Sequence, residues 1–305
     1  MKLPVLVTGA GGFLGCHLVR QLLERDHSVV AIHRSPSSQM ESLLLTYPGA
    51  LRVVSVNLRQ EIDKGLLSGE EYSAVVHLAS FVPSFRKAHP ADDLSIALDG
   101  VLAPTMHLLE AIRGTTGSLL FASTVTVYGD RASGVIDEQS PCWPVNPYGV
   151  FKLAAEGVCR WYAAAEAMDL AMLRVTQLYG FGEPHGCFLQ RVFLPQASEN
   201  GRIALVRGGR EEKDLLWVED AADAFVKAIE HRATGVFNIS SGKAISIRAI
   251  AEMLRELRGG SVDIEIVDDD QPALSQAFDT RCAREAFGFR PTVSLREGLR
   301  RLCEQ

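Results

Sequence analysis

The stretch Val5-Leu-Val-Thr-Gly-Ala-Gly-Gly-Phe-Leu-Gly15 places an apolar run, a glycine turn and the start of a helix in succession. The run from Val5 to Val7 predicts a buried strand of a parallel sheet. After Gly12 apolar residues recur at helical spacing, at Phe13, Leu14, Leu18, Val19, Leu22 and Leu23. Glycines let the backbone approach a ligand closely, and the first N–H groups of a helix attract anions. The stretch therefore predicts a site for a pyrophosphate.

The spacing of the three key glycines is Gly9-x-x-Gly12-x-x-Gly15. The common dinucleotide pattern G-x-G-x-x-G does not fit from Gly9, because Leu14 stands where the last glycine would be. A P-loop is excluded, since no Gly-Lys-Ser/Thr ends the run. The alternative is an ordinary strand-to-helix turn without a ligand.

The bulk composition is that of a globular protein, with 305 residues, 47% hydrophobic and 22% charged. A net charge of −6 without a basic stripe argues against a nucleic-acid partner. No apolar run is long enough to cross a membrane, and the N-terminus carries no signal-peptide pattern. The six cysteines are scattered without a CxxC pair, which suggests neither a metal site nor a disulfide framework. We therefore expect a cytoplasmic protein that holds no metal and does not associate with membranes.

Strand and helix signals alternate through the first half of the chain. Further apolar strands are predicted at residues 28–33, 51–56, 74–79 and 118–124, with helices at residues 39–47, 90–113 and 146–168. This alternation predicts an α/β fold with a doubly wound parallel sheet. The C-terminal part reads as mixed α/β, with short strands predicted at residues 202–206 and 235–239. His77, on a strand between apolar neighbours, is expected to be a packing residue.

The second strand ends in His33-Arg34-Ser35, where a dinucleotide fold meets the adenosine ribose. A carboxylate at this point would select NAD, and none is present. Arg34 and Ser35 are suited to hold the 2′-phosphate of NADP through charge-assisted hydrogen bonds. The alternative is that Arg34 is a solvated residue that stacks on the adenine. We predict NADP as the cofactor, with NAD as the alternative.

A chemical pair follows in Asn146-Pro-Tyr148-Gly-Val-Phe-Lys152, which leads into a helix. Tyr148 and Lys152 are four residues apart and share one helix face. A nearby ammonium lowers the pKa of a phenol, so Lys152 is predicted to prepare Tyr148 for proton transfer with a substrate oxygen while hydride moves to or from nicotinamide. Thr124, at the end of the fifth strand, is placed to donate a hydrogen bond to the same oxygen.

With these motifs together, the chain resembles the extended short-chain dehydrogenase/reductase family, in its NAD-dependent epimerase/dehydratase group. The matching pieces include Thr8-Gly9-x-x-Gly12-x-x-Gly15, His77-Leu78-Ala79, Ser123-Thr124, Tyr148-x-x-x-Lys152 and Leu173-Arg174, and they cover nearly the whole chain.

The resemblance implies a Rossmann-type domain over residues 1–178, with some later segments crossing back, and a smaller C-terminal α/β substrate-binding domain over residues 179–305. It implies Tyr148 as catalytic acid/base, Lys152 as its helper and Thr124 as the donor to substrate, with Ser123 structural. It also implies a homodimer formed through the helices at 90–113 and 148–168. The implied cofactor-binding residues are Gly9, Gly12, Phe13, Leu14, Gly15, His33, Arg34, Ser35, Asn57, Leu58, Leu78, Ala79 and Ser80, together with Tyr148 and Lys152.

Family members mostly act on nucleotide sugars at C4, and the implied substrate-binding residues are Thr124, Val125, Gln177 and Lys213. The family's dehydratases carry Asp-Glu after the catalytic threonine, whereas this chain has Val125-Thr126. We predict an NADP-preferring 4-ketoreductase of a nucleotide sugar. The alternatives are a nucleotide-sugar 4-epimerase with tightly bound NAD, a reductase of a non-sugar ketone, and a non-catalytic NADP-sensing protein. We predict neither proton transfer by His185 and Cys187 nor metal binding by Asp268-Asp-Asp270.

Overall fold

A computed structural model describes residues 3–34, 38–60, 62, 67, 70–81, 90–130, 134–182, 189, 194–199, 201–267 and 275–304. The strands are β1 (Val5–Thr8), β2 (Val29–His33), β3 (Leu51–Ser55), β4 (Ala74–His77), β5 (Ser118–Thr124), β6 (Gly134–Ile136), β7 (Asp169–Val175), β8 (Gln177–Tyr179), β9 (Arg202–Leu205), β10 (Glu212–Trp217), β11 (Gly235–Ile239), β12 (Ala244–Ser246), β13 (Asp263–Ile266) and β14 (Gln276–Phe278). The helices are α1 (Phe13–Glu24), α2 (Ser38–Thr46), α3 (Pro90–Ala97), α4 (Ala103–Ala111), α5 (Pro147–Ala165), α6 (Leu194–Glu199), α7 (Val218–Glu230), α8 (Ile247–Leu257), α9 (Arg281–Phe287) and α10 (Leu295–Cys303).

A seven-stranded sheet with the order β3-β2-β1-β4-β5-β7-β11 forms the centre of the molecule, and every pairing in it is parallel. Every residue of β1, β2, β4 and β5 is buried, as expected of strands covered by helices on both faces. The predicted α/β, doubly wound architecture is confirmed. Strand order reverses between β1 and β4, which opens a crevice at their carboxyl ends.

One strand of the main sheet comes from the C-terminal part of the chain. The segment 235–239, predicted as a strand of the C-terminal part, is β11, and it pairs with β7 at the edge of the main sheet. Helix α7, which precedes it, packs on α1 through an apolar cluster that includes Leu18, Leu22 and Phe225. The chain therefore returns to the main sheet after residue 178. Helix α7 is needed there to keep the apolar face of α1 out of contact with water.

The long helix predicted at residues 90–113 is two α-helices joined by a π turn at Leu98–Leu102. In this turn the Gly100 carbonyl accepts a hydrogen bond of 2.9 Å from the Phe81 N–H. A Cβ atom at Gly100 would lie 2.9 Å from Cβ of Phe81, so the approach requires glycine. The π turn thus brings the helix against the residues that follow β4.

The remaining strands form smaller sheets, ordered β12-β10-β8, β13-β9 and β14-β6. The first two surround a separate apolar cluster that includes Tyr179, Trp217 and Ile250, whereas β14 and β6 pack in another with Tyr128. The Asp220 carboxylate fastens the C-terminal segment, because it accepts hydrogen bonds from Thr292 Oγ1 at 2.6 Å and from the Val293 N–H at 3.0 Å. Within the described ranges, no helix combines the length and apolar character that a membrane crossing requires. The same residues contain no cluster of three or more His, Cys, Asp or Glu that could hold a metal ion.

Candidate active site

The glycine turn between β1 and α1 is shaped by close backbone contacts. Gly9 has φ +69°, and a Cβ atom there would lie 2.8 Å from the Ala79 N–H nitrogen. A Cβ atom at Gly15 would overlap the Gly9 carbonyl oxygen and the backbone of Ala10. Helix α1 starts after Gly12 without a side-chain cap, so its first N–H groups are available to an anion. The cradle that glycine provides fits the pyrophosphate of a dinucleotide.

A cavity of about 600 Å³ opens above this turn, at the carboxyl ends of the central strands. It is lined by Tyr148, Lys152 and twelve of the thirteen other residues predicted to bind a cofactor, and by Thr124, the third predicted catalytic residue. Those twelve are Gly9, Gly12, Phe13, Leu14, Gly15, His33, Arg34, Asn57, Leu58, Leu78, Ala79 and Ser80. Ser35 lies outside the described residues, as do His185, Cys187 and the segment 268–270. The fold therefore gathers residues from far apart in the chain around one elongated pocket.

The charged residues that line the cavity are positive. Arg34 and Arg59 are exposed at the rim, and Lys152 lies inside, whereas no Asp or Glu is found among the described lining residues. The Arg59 guanidinium lies 4.9 Å from the centroid of the Phe81 ring. Sequence reasoning missed Arg59, although its position directly after Asn57-Leu58 at the end of β3 could have indicated it. The pocket is thus suited to a ligand that carries several negative charges.

Helix α5 places Tyr148 in the wall of the cavity that Thr124 also lines. Its N-terminus is capped by Asn146, whose side-chain oxygen accepts a 2.9 Å hydrogen bond from the Gly149 N–H. A Cβ atom at Gly149 would lie 2.8 Å from the Thr126 carbonyl oxygen, so glycine lets the helix start directly against the turn after β5. The packing of Gly149 against Thr126 therefore explains why the face of α5 that carries Tyr148 and Lys152 lies beside the end of β5.

Lys152 is buried beneath the cavity, with 2% of its surface exposed. Its ammonium donates a 2.7 Å hydrogen bond to the Ala122 carbonyl and lies 5.8 Å from the centroid of the Tyr148 ring. Burial lowers the pKa of Lys152 to about 8, while Cys159 and Glu156 oppose the shift. The charge of this lysine therefore changes within the range of ordinary assay pH.

Tyr148 differs from the sequence prediction in its protonation. Burial raises the pKa of the Tyr148 phenol to about 12, and the nearby Ser80 hydroxyl opposes the shift. The predicted lowering by Lys152 is not found, because the ammonium is held at the Ala122 carbonyl and desolvation of the phenolate outweighs its field. In this structure the Tyr148 phenol therefore holds its proton at neutral pH.

Thr124 ends β5 with its hydroxyl in a short polar chain. Its Oγ1 lies 2.9 Å from Thr126 Oγ1 and accepts a 3.2 Å hydrogen bond from the Thr126 N–H. Val125 begins the 3₁₀ turn Val125–Tyr128 and does not line the cavity. Thr124 thus keeps its hydroxyl proton for an acceptor such as Thr126 or a substrate oxygen.

The two remaining predicted substrate residues also lie outside the described lining of the cavity. Thr176 and Leu178 line it, whereas Gln177 between them does not. Successive strand residues point to opposite sides, so Gln177 shares its side of β8 with Tyr179. Lys213 on β10 forms an ion pair with Glu211. Their predicted substrate contacts stay predictions.

His77 is buried below the glycine turn and is fully hydrogen-bonded. Its Nδ1 lies 2.7 Å from Thr8 Oγ1, and its Nε2 lies 3.1 Å from Thr105 Oγ1. Thr105 donates its proton to the Val101 carbonyl at 2.8 Å, so His77 must donate through Nε2 and accept through Nδ1. Burial lowers the pKa of His77 to about 3. The histidine is a neutral packing residue, as the sequence predicted.

Comparison with known proteins places these features in context. The sequence profile described as the NAD dependent epimerase/dehydratase family matches residues 5–240. The chain is 28% identical to UDP-glucose 4-epimerase of Mycolicibacterium smegmatis, with 98% of this chain and 97% of that protein covered. It is 29% identical to GDP-6-deoxy-D-mannose reductase of Pseudomonas aeruginosa, with 98% and 96% covered. UDP-glucuronic acid 4-epimerase of Bacillus cereus, solved with UDP-glucuronic acid and NAD, superimposes with a TM-score of 0.84 at 27% identity, with 98% and 96% covered.

Proposed function

Because the chain belongs to the NAD-dependent epimerase/dehydratase family, we propose that it is a nucleotide-sugar 4-epimerase that uses a bound nicotinamide dinucleotide. The main support for the proposal is that Thr124, Tyr148 and Lys152 line the same cavity as the glycine turn. The whole-chain likeness to 4-epimerases supports it further. Val125 and Thr126 occupy the positions where the family's dehydratases carry Asp-Glu, which disfavours loss of water. The predicted 4-ketoreductase becomes the second candidate.

Each of these residues has its own role in the proposed reaction. A bound nicotinamide supplies the hydride acceptor and donor. Tyr148 exchanges a proton with the sugar oxygen, Thr124 donates a hydrogen bond to that oxygen, and Lys152 adds a positive charge beneath them. We propose that the main sheet, which α7 and β11 complete after residue 178, holds the cofactor, and that the smaller sheets contribute to the substrate site.

The epimerase is tested by turnover without added cofactor. UDP-glucose and UDP-glucuronic acid are incubated with the purified protein, and the configuration at C4 is followed by proton NMR. We expect interconversion of C4 epimers with no net change in absorbance at the NAD(P)H band. Oxidation of added NADPH in step with product formation would support the second candidate instead.

Two observations favour that second candidate, a nucleotide-sugar 4-ketoreductase. The Tyr148 phenol, with its pKa raised to about 12, already carries the proton that a ketone oxygen needs. An epimerase must first use this residue as a base. The other observation is the pair of arginines at the rim, which suits NADPH, and the reductase of Pseudomonas aeruginosa is among the similar proteins.

We propose NADP(H) as the preferred cofactor, with NAD as the alternative that the solved relatives bind. Arg34 and Arg59 line the cavity, and His33 stands where NAD enzymes carry a carboxylate. Replacing Arg34 by Ala is expected to weaken NADPH binding about tenfold and to leave NADH binding nearly unchanged, because only NADPH carries the 2′-phosphate. Fluorescence titration measures both constants.

Arg113→Ala is the matched control for the arginine variant. Arg113 follows α4, does not line the cavity, and its side chain is 64% exposed. This variant is expected to bind both nucleotides like the wild type. Tighter binding of NADH than of NADPH by the wild-type protein would reject the preference.

We further propose a homodimer formed through α3, α4 and α5, which pack side by side. Five large apolar side chains are exposed along these helices and the π turn: Leu94, Leu98, Met106, Val150 and Trp161. Trp161 is 71% exposed, and burial of such residues against a second copy would remove apolar surface from water. Light scattering on the wild-type chain measures the expected mass of a dimer, and a monomer at all concentrations rejects it.

A further inference from the structure

A buried carboxylate links the two elements that carry the proposed chemistry. Glu156 on α5 has no exposed surface. Its Oε1 accepts hydrogen bonds from Ser123 Oγ at 2.5 Å and from Arg174 Nε at 3.0 Å, and its Oε2 accepts one from Arg174 Nη2 at 2.8 Å. Ser123 and Arg174 are register partners on β5 and β7. One side chain therefore binds two strands of the sheet to the helix.

The position of this cluster relates it to the proposed acid–base group. Tyr148, Lys152 and Glu156 recur every four residues along one face of α5. On β5, Ala122 accepts the hydrogen bond from Lys152, Ser123 binds Glu156, and Thr124 follows directly. Lys152 donates to Ala122 and Glu156 accepts from Ser123, so these hydrogen bonds with consecutive residues of β5 set the distance and the register between the helix and the strand.

Glu156 offsets part of the positive charge that is buried in this region. Lys152 and Arg174 are 2% and 4% exposed; the Glu156 carboxylate pairs with Arg174, and its charge also favours the charged form of Lys152 four residues earlier on α5. Two buried cations without an anion would be costly, since each loses its hydration. The titratable groups that act on Lys152 are Glu156, Cys159 and Tyr148 from its own helix and His77 from β4.

We propose that Glu156, held by Ser123 and Arg174, is a positioning residue that fixes Thr124 relative to Tyr148 and keeps Lys152 charged. The expected effect on kcat rests on the proposed hydride-transfer function, whereas the expected effect on the charge of Lys152 does not. The geometry predicts two separable effects. Loss of the Ser123 hydrogen bond disturbs position, and loss of the Glu156 charge disturbs the protonation of Lys152.

The charge effect is measured without substrate or cofactor. Proteins with ¹³C-labelled lysine are titrated by NMR, and Lys152 is assigned from the spectrum of Lys152→Arg. The pKa of Lys152 is expected to fall by about one unit in Glu156→Gln, because an anion near the ammonium is lost. It is expected to stay near the wild-type value in Glu156→Asp and in Ser123→Ala, which retain the carboxylate. An unchanged pKa in folded Glu156→Gln would overturn the proposal.

The positional effect is measured by kinetics with the nucleotide sugar that the wild type converts. Ser123→Ala is expected to lower kcat about tenfold at unchanged KM, the loss expected of one hydrogen bond to a charged group. Ser118→Ala is the matched control, because Ser118 is also buried on β5 and does not contact Glu156. Its kcat is expected to match the wild type.

If Glu156→Gln does not fold, Glu156→Asp and Ser123→Ala still test the positional role of Glu156. Glu156→Asp retains the charge but is one methylene shorter, so it is expected to lose kcat as Ser123→Ala does while Lys152 titrates normally. Wild-type kcat in both Ser123→Ala and Glu156→Asp overturns the positional role. If the wild type converts no nucleotide sugar, the proposed function is rejected, and the NMR titration alone decides whether Glu156 holds the charge of Lys152.

Discussion

Replacing Tyr148 by Phe is expected to lower kcat about 10³-fold, the size of effect typical for the loss of a positioned acid or base. The partly buried Tyr148 side chain lines the cavity, and desolvation raises the pKa of its phenol to about 12, so it carries a proton at neutral pH. Phe keeps the ring and its packing, and the unfolding free energy should change by less than about 1 kcal/mol. Steady-state kinetics with the converted nucleotide sugar and thermal unfolding measure the two effects.

Tyr162 provides a matched control on the same helix. Its hydroxyl is buried, has no hydrogen-bond partner among the described residues, and does not line the cavity. Tyr162→Phe removes the same atom from α5 and is expected to leave kcat unchanged. Wild-type activity in Tyr148→Phe would contradict the proposed role of Tyr148 in proton transfer. An inactive wild type that binds NADPH tightly would instead favour the non-catalytic, NADP-sensing alternative.

Replacing Gly15 by Ala is expected to destabilise the protein by about 3 kcal/mol, the upper range for an overpacked site. The added Cβ atom would overlap the Gly9 carbonyl and the Ala10 backbone, and neither can move without opening the glycine turn. Since the turn forms one end of the cavity, NADPH and NADH should both bind at least about tenfold more weakly. Chemical denaturation and fluorescence titration measure these losses.

Gly157 is the control for this glycine substitution. It is exposed on α5, and a Cβ atom there would meet no atom within 4 Å. Gly157→Ala is expected to stabilise the protein by about 0.5 to 1 kcal/mol, because alanine favours the helix. If Gly15→Ala behaved like Gly157→Ala, close backbone packing at the turn would not be needed for the cofactor site.

The parts of the site that the sequence predicted are those with a local pattern. Gly9, Gly12 and Gly15 could be read as a turn because an apolar run precedes them and a helical pattern follows. Tyr148 and Lys152 could be paired because helix geometry alone places residues four apart on one face. The burial of His77 followed from its apolar neighbours on a strand.

The parts that the sequence did not predict depend on pairing across the chain. Ser123, Glu156 and Arg174 come from three separate elements, and no spacing rule connects them. Arg59 lies beside the cavity only because β3 ends next to β2. The sequence predicts a strand at 235–239, but its place in the main sheet depends on which apolar faces must be covered.

The sequence by itself determined an α/β chain with a dinucleotide turn at its start and a Tyr-x-x-x-Lys pair on a helix, because these are short-range patterns of glycine, apolar and polar residues. The tertiary structure alone decided the protonation of that pair. Burial raises the pKa of Tyr148 to about 12 and lowers that of Lys152 to about 8. Desolvation depends on every atom that surrounds a charge, and those atoms come from residues distant in the chain.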